Sequence, residues 1–87
     1  MIKFPQSLAV SQLDDELVLL DEKTGKYFGL NPVGSRIFQL LKESGDEAQV
    51  VAALSAEYDA PKGQLTADVA AFISTLAERG LIVDDAS

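Results

Sequence analysis

Asp14, Asp15 and Glu16 are the densest set of side chains in this chain that could move a proton or hold a cation. Paired carboxylates do acid–base work only when they converge on one point. Three neighbours in a turn point in different directions and stay hydrated. The chain has no His and no Cys, so the usual general base and the thiolate nucleophile are both missing, as are disulfides and thiolate metal sites. It also lacks a Gly-x-Ser-x-Gly elbow, a phosphate loop and a dinucleotide fingerprint. These residues point away from catalysis, and no cofactor or metal is expected.

A second set does a different kind of chemistry, made by backbone rather than side chains. Lys26, Tyr27, Phe28, Gly29 and Leu30 read as a short strand after the turn Lys23-Thr24-Gly25. Such a strand at a sheet edge leaves alternate amides and carbonyls free to take another strand. Gly29 lets a foreign backbone come close, and Lys26 guards the edge. Strand addition takes affinity from backbone hydrogen bonds and specificity from pockets for alternate side chains. Asp68, Ala71, Phe72, Thr75 and Arg79 lie at or beside the apolar face of a later helix that would close such a pocket. Ala71 and Thr75 are small enough to leave room, and Asp68 and Arg79 could fix a charge. Alternation pairs Phe28 with Leu30 and Tyr27 with Gly29, and the reading favours Phe28 and Leu30 inward.

The elements that must position these residues follow from hydrophobic period and breakers. Leu17-Val18-Leu19-Leu20 is a continuous apolar run of strand length, and residues 7–11 offer a third strand. Pro5 suits a strand entry. Apolar side chains on both faces of the hairpin suggest that the N-terminal segment or a second subunit covers the side away from the helices, or that a partner peptide binds beside it. Asn31-Pro32 starts a helix with a capping side chain and a donor-free first residue. Its face is Val33, Ile37, Leu40 and Leu41, and it ends near Ser44-Gly45. Asp46 caps a second helix with the face Val50, Val51, Leu54 and Tyr58, broken by residues 59–63. Thr66 is read as the cap of a third, with Leu65, Val69, Phe72, Ile73 and Leu76 on its face and Gly80 as its left-handed stop. Leu81-Ile82-Val83 should pack back on the core, and residues 84–87 should fray. The fold class is α+β: a three-stranded antiparallel sheet, then three helices. The 87 residues are expected to form one domain, ordered over about residues 4–83.

Composition limits the partners. The net charge is −7, and the 7 basic residues are scattered with no basic stripe, so a nucleic-acid backbone repels the chain. The second and third helices have helix-turn-helix order, which leaves a DNA-binding regulator as the competing class. The acidic surface prefers basic partner segments. No apolar run reaches membrane-spanning length and the N-terminus does not read as a signal peptide. The expected setting is cytoplasmic, as a monomer or weak dimer, without membrane or nucleic acid.

The run from Gly25 to Leu41 resembles the PqqD-like family of peptide-recognition proteins. The family pattern is G-K-Y-x-x-L-N-x-x-G-x-x-I-W-x-L-L. Here Gly25, Lys26, Tyr27, Leu30, Asn31, Gly34, Ile37, Leu40 and Leu41 match it, with Phe38 at the Trp position. Asp68-Val69, Phe72, Leu76 and Gly80-Leu81 match the later part. The resemblance spans about residues 8–83. It implies a winged-helix-like domain that holds the leader of a ribosomally made precursor peptide as an added strand between the third strand and third helix. It also implies delivery to a modifying or leader-cleaving enzyme. Family members devoted to pyrroloquinoline quinone carry an A-P-E-R-like segment after the strand, where this chain has Leu30-Asn31-Pro32-Val33-Gly34-Ser35. The chain is more similar to the free-standing recognition proteins of lasso-peptide clusters.

Overall fold

A computed structural model describes residues 2–84, in which five strands and three helices follow one another. They are β1 (Ile2–Lys3), β2 (Leu8–Leu13), β3 (Glu16–Asp21), β4 (Lys26–Leu30), α1 (Pro32–Ser44), α2 (Glu47–Glu57), α3 (Lys62–Glu78) and β5 (Val83–Asp84). Strands β2, β3 and β4 form an antiparallel meander in that order. The expected third strand is there, two residues longer at its far end than residues 7–11.

Local chemistry sets the meander's register. Asp14 takes the left-handed backbone angle φ 58°, which Asp tolerates better than most residues, so Leu13 faces Glu16 across a two-residue turn. At the other end the Asp21 carboxylate accepts from the Lys23 amide and the Thr24 hydroxyl, both at 3.0 Å. Gly25, at φ 75°, donates its amide to the Asp21 carbonyl at 2.7 Å. Leu17 then faces Leu30, Leu19 faces Phe28, and Leu20 faces Tyr27. Residues directly opposite share a face. Leu17, Leu19, Phe28 and Leu30 therefore line the inner face, as expected for Phe28 and Leu30.

The helices cover that inner face. The Asn31 side chain caps α1 by accepting from the Gly34 amide at 2.7 Å, and Gly45 closes it at φ 67°. Asp46 caps α2 through the Ala48 amide at 2.9 Å. α3 begins four residues before the expected cap. Pro61 leads into it, and Thr66 lies inside, donating its hydroxyl to the Lys62 carbonyl at 2.9 Å. Gly63 does not break the chain here, because glycine costs little in a first turn, and starting early lets Leu65 reach the core. Gly80 stops α3 at φ 71°, and the Leu81 amide returns to the Leu76 carbonyl at 2.9 Å.

Two apolar clusters result. One joins α1, α2 and α3 through Ile37, Leu41, Val50, Leu54 and Val69. The other joins the sheet to α1 and α3 through Leu19, Leu30, Phe38 and Leu76. Phe72 and Ile73 touch both. Val33 and Tyr58, expected on buried faces, are instead exposed. Val33 sits in the first turn, where the stripe facing the sheet is Gly34 and Ser35, and Tyr58 is already past the last turn of α2.

The chain ends add an unforeseen feature. β1 and β5 pair antiparallel, Ile2 opposite Asp84 and Lys3 opposite Val83. Leu81 and Ile82 are buried in the sheet-side cluster, as expected of the tail. Asp84 belongs to a strand rather than a frayed end, and residues 85–87 lie outside the described part. The N-terminal segment packs inward, with the Phe4 and Phe38 rings 4.7 Å apart, and so does not cover the sheet's outer face.

Candidate functional site

β4 is an edge of the three-stranded sheet, and α3 runs beside it. What ties that edge to the helical layer is Ser35. Its buried hydroxyl accepts from the Leu17 amide at 2.8 Å and donates to the Leu30 carbonyl at 3.2 Å. One side chain thus closes the β3–β4 ladder where the strand turns into α1, and fixes the distance between edge and helices.

Between β4 and α3 lies a cavity of about 340 Å³. Phe28, Gly29 and Leu30 form its strand wall, and Asp68, Ala71, Phe72 and Thr75 its helix wall. Asn31, Gly34 and Leu76 complete the lining. Its walls are mostly apolar, with the exposed Asp68 carboxylate on the helix side. The Thr75 hydroxyl is used within the helix, donating to the Ala71 carbonyl at 3.0 Å, so Thr75 contributes bulk rather than a free polar group.

A second cavity, about 460 Å³, follows the same groove and is lined by Lys26, Tyr27, Phe28 and Arg79 together with Asp21, Thr24, Glu78 and Leu81. The Arg79 guanidinium lies 4.3 Å above the centre of the Phe28 ring, a cation–π stack. Phe28 lines both cavities, so this stack divides an apolar compartment from a charged one. Lys26, opposite Asp21 in the register, and Arg79 share this lining with Asp21 and Glu78, giving the second compartment both signs of charge.

Every residue singled out for the strand edge and its helix wall lines one compartment or the other. Their orientations differ. Tyr27 is 72% exposed and, like Gly29, belongs to the outer face of the sheet, opposite Leu20 and Val18 respectively. A side chain at Gly29 would meet nothing within 4 Å. Its lack of one opens the outer face beside the edge, and the floor of the groove is made by Leu30 and Phe72.

Gly34 escaped the sequence reading as a site residue. A Cβ there would come within 3.3 Å of the Phe72 ring and 3.2 Å of Asn31 Oδ1. Glycine lets the ring rest on the first turn of α1, which sets the groove's floor. The signal was present, a glycine three residues after a capping Asn, where helix propensity alone would favour Ala. The polar lining at Asp21, Thr24 and Glu78 had no such signal, because it depends on how the β3–β4 turn meets the end of α3.

Asp14, Asp15 and Glu16 stay exposed, and among the described residues no group of three or more His, Cys, Asp or Glu could hold a metal ion. No helix of the described residues is long and apolar enough to cross a membrane.

No curated protein matches the chain. Two solved structures do. "TbiB1 in Complex with the TbiA(beta) Leader Peptide" is 38% identical, covers 98% of this chain and 99% of that one, and superposes with a TM-score of 0.90. "Lasso peptide synthetase B1 complexed with the leader peptide" is 30% identical, covers 94% of this chain and 96% of that one, and has a TM-score of 0.87. The family model described as coenzyme PQQ synthesis protein D matches residues 16–82. That span runs from the start of β3 through the groove to the buried tail, and the chain belongs to the PqqD family.

Proposed function

We propose that this chain is a non-catalytic adaptor of lasso-peptide biosynthesis. It binds the leader of a ribosomally made precursor peptide as a strand added to β4 and delivers it, in the cytoplasm, to a leader-cleaving or other modifying enzyme. The observation that carries this reading is an unpaired strand edge facing a lined groove, in a fold matched over nearly its whole length by proteins whose structures hold leader peptides. The bound segment spends its backbone hydrogen bonds on β4 and its alternate side chains on the apolar compartment. Arg79 and Lys26 meet its polar groups at the other end. The segment after Leu30, which lacks the A-P-E-R-like sequence, favours this role over quinone-cofactor synthesis.

The test is a titration of the labelled chain with the leader encoded beside its gene, followed by NMR. Shift changes confined to residues 26–30 and 66–79 are expected, with micromolar or tighter affinity, roughly 8–9 kcal/mol. No change with any neighbouring precursor would sink the proposal.

A further inference from the structure

We propose that β2, the sheet edge on the far side from the groove, pairs with β2 of a second copy of this chain. Two copies would then share one continuous sheet with a β4 edge open at each end. Such pairing goes beyond the adaptor role and does not require it. Among the described residues, β2 pairs with β3 alone, and the two free edges are guarded differently. β4 carries Lys26, whereas Leu8-Ala9-Val10-Ser11-Gln12-Leu13 has neither a charge nor a proline. Charges, prolines and bulges are what edges use against pairing. The register of β2 runs without a bulge from Leu8 opposite Asp21 to Leu13 opposite Glu16. Val10 is 37% exposed, although it faces the fully buried Leu19.

Backbone direction selects the occupant. Antiparallel neighbours alternate between residues that exchange hydrogen bonds and residues that do not. The Glu22 amide donates to the Ser7 carbonyl at 2.9 Å. Ser7, Ala9, Ser11 and Leu13 therefore turn their backbone groups toward β3, and Leu8, Val10 and Gln12 turn theirs outward. The Leu8 amide donates to the Pro5 carbonyl at 3.1 Å, which leaves the Leu8 carbonyl and both groups of Val10 and Gln12 for a partner strand. A two-fold axis through Val10, normal to the sheet, matches this set to itself. Val10 exchanges two hydrogen bonds with Val10 of the second copy, and each Gln12 amide meets the opposite Leu8 carbonyl. The same axis keeps both inner faces on one side, so the two Val10 side chains touch across it.

Charge sets the strength. Each copy carries −7, but the paired strands are neutral, and Asp14 comes level with the uncharged Gln6 of the second copy. The nearest opposing acids, Asp14 and Glu22 of the second copy, stand two strand spacings apart, about 10 Å. That is about one Debye length at physiological salt, so salt should strengthen the pairing. One strand pair is small against the roughly 1,200–2,000 Å² of a stable complex. The expected dissociation constant is about 0.1–1 mM.

The experiment is sedimentation equilibrium of the full chain, without leader, from micromolar to millimolar concentration at low and high salt. Amide shifts are followed by NMR over the same series. Val10→Lys sets two ammonium groups against each other across the axis. Val10→Pro removes an outward amide that β3 does not use. Expected are a mass rising from monomer toward dimer, more so at high salt, and concentration-dependent shifts at residues 8–12 but not at 26–30. Both variants should associate at least tenfold more weakly. Val10→Lys keeps every bond to β3 and carries the test alone if a melt shows the proline variant unfolded. A chain that stays monomeric at millimolar concentration and high salt overturns the proposal. So does a dimer that folded variants leave intact, or one whose shifts fall at residues 26–30, which would place the contact on the groove edge.

Discussion

Ser35 does the most structural work per atom in this chain. Its hydroxyl satisfies the Leu17 amide and the Leu30 carbonyl at once, in a position 2% exposed. Removing it takes a hydrogen-bond partner from each of these two groups, and such a loss at a buried site costs about 1–3 kcal/mol. Ser35→Ala should lower the thermal midpoint and, because the same contact spaces β4 from the helices, weaken leader binding as well. A melt and a titration on one preparation check both, and normal leader affinity in a destabilised variant would confine Ser35 to stability. No sequence pattern marks this residue, since a serine in the first turn of a helix usually faces water. The Asn31 cap and the Gly25 turn were legible for the opposite reason: their chemistry is local, and the partner lies within four residues.

The elements divide in the same way. α1 and α2 start where their caps place them, and β3 and β4 alternate as a hairpin must. α3 was misjudged at its start because Pro61 offers no side-chain cap and Thr66 imitates one. Its groove-facing wall was nonetheless readable, since helical spacing puts Asp68, Ala71, Phe72 and Thr75 along one side of a single element, with Arg79 at its C-cap. That wall yields a clean test. Ala71 is exposed to the groove, and Leu is nearly as good a helix former as Ala. Ala71→Leu should fill the apolar compartment, weaken leader binding at least tenfold, about 1.4 kcal/mol, and leave the thermal midpoint close to that of the unsubstituted chain. Unchanged leader affinity would move the peptide off this part of α3.

For the whole molecule, the deciding quantity is net charge. The helix-turn-helix order of α2 and α3 is what a DNA-binding domain would show, but the chain carries −7 and α3 has one basic residue, Lys62, within its bounds. At low salt, where electrostatic attraction to duplex is strongest, the promoter DNA flanking the gene should run unshifted in a gel up to micromolar protein. A retarded band would reopen the regulator reading. The pairing of β1 with β5 also belongs to this scale. It joins residues about eighty positions apart, and two-residue strands carry no hydrophobic period to announce them. The second compartment is another product of distance, in which the β3–β4 turn and the end of α3 meet only once the chain has closed.

Tyr27 turns this geometry into an optical property. The chain has no Trp and 2 Tyr. One, Tyr27, stands 72% exposed on the edge strand, and the other, Tyr58, lies past the end of α2. The protein's intrinsic emission is therefore that of phenol rings, one of them placed where a fourth strand would arrive. Arrival changes the hydration of that ring and leaves Tyr58 as an internal reference, so the unlabelled molecule carries its own reporter of occupancy.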